Sequence, residues 1–183
     1  MGCARGRGAD RARRHRHRAL RRWQPVPEQR PVRRSVVNVA LAADADSRIR
    51  LLAVAAYPNE GCGVLIGRSD GERVEVVSAT SGTNTNTERA RDRYVLDPLD
   101  MVRADREART LGLDVVGIWH SHPDHPAIAS QFDSDHSWTD YVYLIVRTTV
   151  DGAGDLNGFA RKDEGEVLEQ LALAVTPGAE PMQ

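Results

Sequence analysis

The spacing of apolar positions divides this chain into short runs with strand character and two stretches with helical period. Val36, Val37 and Val39 predict a strand over Ser35 to Ala40. Ala45, Ile49, Leu52, Ala53 and Ala56 then fall at i, i+4, i+7, i+8 and i+11, one face of a helix that Pro58 ends. Cys62 to Gly67 predicts a short buried strand, and Ser69-Asp70-Gly71-Glu72 a hairpin turn into a strand from Arg73 to Ser78. Ser81 to Glu88 is nearly all Ser, Thr, Asn and Gly, a polar loop that no core would hold and that is expected to border a substrate channel. Strand character returns from Asp92 to Leu96. Asp97-Pro98 then opens a helix, with the acid as cap and proline in the first turn, running to about Leu111 with Gly112 as C-cap. Its apolar face is thin (Met101, Ala104, Ala108, Leu111), which predicts a helix lying on the surface of a sheet.

Asp114 to Ser121 is nearly continuously apolar, with β-branched Val115, Val116 and Ile118, and reads as a strand buried on both faces. Tyr141 to Val146 predicts another buried strand. Gly154 to Arg161 and Val167 to Val175 read as closing strands, the latter with a helical alternative, and Thr176 to Gln183 as a loose end. Strands alternating with helices make an α/β fold plausible.

Charge changes the picture at one end only. Residues 1 to 34 carry twelve arginines against Asp10 and Glu28, a net of +10, which leaves −11 for the rest of a chain whose total is −1. Leu20, Trp23, Val26 and Val32 are too few to order that segment. Residues 1 to 34 therefore read as a disordered arginine-rich arm or as a gene start assigned too far upstream. An arm of this kind could hold nucleic acid through phosphate contacts, which makes a nucleic-acid-associated protein one alternative function. The folded domain is expected at 35 to 175. No window reaches the roughly eighteen apolar residues of a membrane span and no secretory signal is visible, so the expected location is cytoplasmic. Cys3 lies in the arm and Cys62 in a buried strand, so no disulfide is expected.

The chemistry concentrates where the two-faced apolar strand ends. His120 and His122 alternate onto one face, about 7 Å apart at their α-carbons from the rise of a strand. Pro123 and Pro126 force the chain into a loop, and Ser130 with Asp133 three residues on has the spacing of a helix entry, the serine as cap. Asp133 could then face the histidines. Two imidazoles and a carboxylate are ligands for zinc, and three protein ligands leave the open fourth position of a catalytic site. His125, between two prolines, and His136, a turn beyond Phe132, read as exposed histidines; Asp135 points elsewhere on the helix. Cys62 has no cationic neighbour and reads as inert packing.

His120-x-His122, seven residues, Ser130, two residues, Asp133 resembles the JAMM motif of the MPN-plus (Mov34-type) metalloprotease family. Glu60, in Tyr57-Pro58-Asn59-Glu60-Gly61-Cys62-Gly63, stands where that family carries its upstream catalytic acid. The likeness runs from about Val36 to the C-terminal strands, and the chain is similar to the family's short, stand-alone prokaryotic members. Gln131 departs from it, since relatives often have proline there. The resemblance implies a mixed sheet of six to eight strands sandwiched by helices, a JAMM/MPN fold of cytidine-deaminase-like type. It implies one zinc ion per chain on His120, His122 and Asp133, Glu60 as general base, and Ser130 as oxyanion donor. The substrate it implies is an amide following the Gly-Gly end of a ubiquitin-like or sulfur-carrier protein. A non-catalytic MPN scaffold would share the fold but usually lacks the ligand set, and a zinc nucleoside deaminase would need a Pro-Cys-x-x-Cys pair that is absent.

Overall fold

A computed structural model describes Val36 and residues 38–177. The expectations for residues 1 to 34 and for 178 to 183 lie outside the described residues. In chain order the elements are β1 (Asn38–Ala42), α1 (Ala43–Ala56), β2 (Cys62–Ser69), β3 (Arg73–Ala79), α2 (Pro98–Thr110), β4 (Asp114–Pro123), α3 (Gln131–Asp135), β5 (Val142–Thr149), β6 (Gly152–Ala160) and β7 (Glu169–Thr176).

The sheet is mixed and runs β1-β3-β2-β4-β5-β6-β7. The α/β class and the mixed sheet hold, while the strand pairing describes a closed, barrel-like sheet in place of the expected sandwich. β1 pairs in parallel with β3 on one side and with β7 on the other, so the sheet closes on itself. A strand bonded on both sides leaves no unpaired edge there. β7 is a strand throughout, without the helical alternative, and Thr176, expected in the loose end, is its last residue, opposite Ala42.

The two faces of the sheet hold different layers. Ala45, Ile49 and Ala53 of α1 pack with Val39, Leu41, Val74, Val142 and Leu144 on one face. On the other face Tyr143 and Ile145, the alternate positions of β5, pack with Ile118 and Phe159. Ala104 and Ala108 of α2 lie on Val64 and Ile66 of β2. The thin face expected of α2 ends differently, because Leu111 is exposed and Leu113 is buried in its place. Gly112 takes φ +65 just past the helix, the left-handed position that favours glycine after a C-terminus.

β4 lies in the middle, antiparallel to β2 and parallel to β5. Its Trp119 points to the α1 side, where its indole N–H donates to Thr80 O at 2.9 Å. The ring crosses β2 at Gly63, where a β-carbon would come within 2.4 Å of Trp119 Nε1 and 2.0 Å of Thr80 O. Only glycine admits that approach.

Candidate functional site

His120 and His122 leave β4 on the face of Ile118, away from α1. The parallel partner β5 cannot follow β4 by a hairpin, so the chain must cross over, and that crossover carries the loop and α3. The loop is pinned at several points. Asp124 N donates to Thr148 O at 2.7 Å, Asn157 Nδ2 to Ala127 O at 2.9 Å, and His122 Nδ1 to Pro126 O at 2.9 Å. Ser130 caps α3 in a full capping box, its hydroxyl accepting from Asp133 N while the Asp133 carboxylate accepts from Ser130 N at 2.7 Å. Ser134 Oγ, which accepts from Leu168 N, and Arg161, which donates to Ser134 O and Ser137 O, tie the far end of α3 to the sheet side.

These restraints bring Asp133 onto the histidines. His120 Nε2 is 3.1 Å from His122 Nε2 and 3.3 Å from Asp133 Oδ1, and His122 Nε2 is 3.7 Å from Asp133 Oδ2. The three residues are buried and offer ligand atoms that all lie within 4.8 Å of one another. Tyr94 stacks on the His120 ring with centroids 4.6 Å apart. His122 Nδ1 is committed as a donor to a carbonyl, so Nε2 of the neutral ring carries the lone pair that a cation needs. The donor set therefore fits a metal ion. Burial alone would raise the Asp133 carboxyl, but the His120 and His122 rings beside it and the hydrogen bonds from Ser130 hold it well below the usual carboxylate range. Burial pushes His120 down, which keeps its ring neutral.

Glu60 sits between α1 and β2. The strand that follows it is stitched to β4 where the histidines are, with Gly61 N donating to Ser121 Oγ at 2.8 Å, Ser121 N to Gly61 O at 2.9 Å, and Cys62 opposite His120. That register sets the Glu60 side chain in a cavity of about 260 Å³ with His122, Ser130 and Asp133. Burial is the main reason its carboxyl is pushed up to about 8. The sequence-predicted residues Glu60, His120, His122, Ser130 and Asp133 thus come together, while Asp135 and His136 do not join the cluster. His125 is exposed, as expected, and lies at the cavity wall. Cys62 is buried with its thiol pushed up to about 12, chiefly by desolvation.

The site also draws on a segment that apolar spacing misread. Asp92 to Leu96 is not a strand; it is the return arm of an irregular loop touching the opposite arm by one bridge, Asn84 to Leu96. Asn84 and Thr85 take up the backbone groups that a sheet partner would have used: Val95 N donates to Asn84 Oδ1 and Thr85 N to Val95 O. This return arm lines the cavities beside the cluster. Asp92, ion-paired with Arg89, borders the cavity of Glu60. Tyr94 and Leu96 form part of an apolar groove of about 440 Å³ with Met101, Ile118, Phe132 and Trp138, which meets the histidine cluster at Asp133. Its residues come from three separate segments, so no local pattern announces it.

Among known proteins, a Haloferax volcanii protein named desampylase is 38% identical over 143 residues, covering 75% of this chain and 96% of that protein. A Thermus thermophilus protein named as a probable TtuB-protein conjugate cleaving protease is 31% identical over 103 residues, covering 56% of this chain and 64% of that protein's own length. A solution structure of a Desulfitobacterium hafniense protein superposes with a TM-score of 0.67 at 24% identity, covering 78% of this chain and 95% of that one, a likeness of fold. A Salinibacter ruber protein does so with 0.59 at 33% identity, covering 79% and 95%. The family of prokaryotic homologs of the JAB domain matches residues 42–161, from the end of β1 through β6 and therefore across the whole site, and this chain belongs to it.

Proposed function

We propose that this protein is a zinc-dependent isopeptidase that hydrolyses the amide bond after the C-terminal Gly-Gly of a ubiquitin-like or sulfur-carrier protein. The observation that carries the reading is the placement of an acid outside the ligand group, Glu60, in one cavity with His122 and Asp133, two members of the buried His120–His122–Asp133 group. The names of the two relatives, a desampylase and a conjugate-cleaving protease, support the substrate class.

His120, His122 and Asp133 would hold the metal. A zinc ion there would supply a Lewis acid able to bring the pKa of water to about 7, and a positive charge drawing Glu60 down from about 8 towards neutrality. Glu60 takes the proton of the attacking water and delivers it to the amide nitrogen as the C–N bond breaks and the new C–O bond forms. Ser130 Oγ donates to Asp133 Oδ2 at 2.6 Å in the resting site. It donates instead to the tetrahedral oxyanion when substrate is bound, where one well-placed donor is worth about 3 kcal/mol. The groove beside Asp133 receives apolar side chains of the extended substrate tail that precedes Gly-Gly.

The test mixes the full chain, loaded with zinc, with a β-grasp carrier whose Gly-Gly end is joined to a lysine side chain or to an added peptide, and follows the masses. Release of carrier ending at glycine, abolished by a chelator and by Glu60→Ala, is expected. Conjugates left intact by zinc-loaded protein would reject the substrate class.

A further inference from the structure

The acid assigned to proton transfer is held by a residue that the reaction itself does not touch. Glu60 follows a turn after α1, and a carboxylate on so short a connection needs both of its peptide groups fixed to be aimed reproducibly. Its N–H donates to Ala90 O at 2.7 Å. Its carbonyl accepts from Asn84 Nδ2 at 3.2 Å. The same amide nitrogen donates to Arg93 O at 3.1 Å, while Asn84 Oδ1 accepts from Asn86 N and from Val95 N, each at 3.0 Å. All four partners are main-chain groups of fixed polarity, so the network admits one orientation of the amide, with nitrogen towards Glu60. A side-chain amide with all four of its hydrogen bonds made is fully satisfied, and here it joins three segments: the outgoing arm of the loop, its return arm, and Glu60 in the turn before β2.

The return arm places Asp92 and Tyr94, and Tyr94 in turn stacks on His120. Arg93 lies over the Phe132 ring of α3 at 4.5 Å, so the arm is also braced against the helix that carries Asp133. Among the described residues, Asn84 is thus the one side chain bonded both to the acid's own peptide and to the arm that walls its cavity.

We propose that Asn84 is a positioning residue for this hydrolysis: its amide holds the peptide of Glu60 in register with the return arm, and so sets the acid against the His120–His122–Asp133 group. The inference rests on the reading of Glu60 as proton carrier. Asn84→Asp is the informative variant, because it keeps both acceptor contacts, to Asn86 N and Val95 N, while turning a carboxylate oxygen against the carbonyls of Glu60 and Arg93. The loop stays closed and the acid loses its donor.

The expected result, measured on the zinc-loaded full chain with the carrier conjugate described above, is a fall in kcat of roughly tenfold to a hundredfold, the scale of a small misplacement of a reacting group. KM and zinc content should stay near the wild-type values. Independently of turnover, amide hydrogen exchange followed by NMR should show the Glu60 N–H, bonded to Ala90 O, exchanging roughly fivefold to tenfold faster, with Val64 and Leu65 of β2 unchanged. Should Asn84→Asp not fold, Asn84→Ser serves, since its shorter hydroxyl cannot bond both carbonyls and the same selective changes are expected. Unchanged kcat and unchanged Glu60 exchange in a folded variant would overturn the proposal, as would a uniform loss of protection across β2, which would make Asn84 merely structural. Glu60→Gln separates the two readings: if it retains activity the assignment of the acid fails, and if it is inactive while Asn84→Asp is normal only the positioning role fails.

Discussion

Glu60 and Asp133 are two carboxylates buried to the same depth, 6% and 7% exposed, that line one cavity, and their ionisation is shifted in opposite directions. Burial pushes Glu60 up to about 8, with the neighbouring Asp133 charge adding to it. Asp133 feels the same burial and is held low because the His120 and His122 rings lie against it and the Ser130 hydroxyl and N–H both donate to it. Desolvation raises any carboxyl, and the donors around it decide whether that penalty stands. In the proposed reaction the ionised acid would be the ligand and the raised one the proton carrier, two roles divided between two environments.

The comparison breaks most completely at the ligand. Asp133→Asn or His122→Ala is expected to abolish both zinc binding and turnover, measured as metal per chain by atomic emission and as conjugate cleavage. Metal retained at one per chain by His122→Ala would take it out of the ligand set. By contrast, Glu60→Gln should keep the metal and lower kcat roughly a hundredfold to ten-thousandfold, the range of a lost general base. A Glu60→Gln protein that also lost its metal would erase the division of roles.

Ser130→Ala sharpens the contrast at smaller scale, because the hydroxyl serves both the helix cap and, in the proposed reaction, the oxyanion. A kcat loss of about tenfold to a hundredfold should come with a stability loss of about 1 kcal/mol in urea unfolding. A stability loss alone would leave Ser130 as a cap. The subtlest effect is on stability against pH in the metal-free protein. Between the unfolded value of 4.5 and about 8 the native state holds one more proton on Glu60 than the unfolded state does, so this group's contribution is complete below 4.5 and is lost as pH rises through 8. The slope is at most ~1.4 kcal/mol per pH unit. Asp133 works the other way, its contribution lost as pH falls below the ordinary carboxylate range. Unfolding midpoints from pH 5 to 8 should therefore fall more steeply in the wild type than in Glu60→Gln, and parallel curves would remove the raised acid.

Much of the scaffold was legible in the chain because it is written in short-range periodicity. The face Ala45, Ile49 and Ala53, the two-faced run of β4 and the Asp97-Pro98 helix start are local statements, and each holds. The strand expected from Asp92 to Leu96 failed because apolar alternation near Tyr94 and Leu96 reports burial, not pairing, and these side chains are partly buried against the His120 side of the sheet while Asn84 and Thr85 take up the backbone bonds. Closure of the sheet was equally invisible, since β1 and β7 meet across most of the chain's length.

Residue type and spacing by themselves determined that His120 and His122 share a face, that Ser130 and Asp133 open a helix, and that Glu60 follows one, because alternation, capping and chain breaking act over a few residues. That these pieces face one another was decided by tertiary structure alone. The β2–β4 register brings Glu60 to the histidines across some sixty positions of sequence, and the pinned crossover swings Asp133 back over them. The ionisation of the two acids follows from that assembly, because desolvation and donated hydrogen bonds exist only once the chain has closed around them.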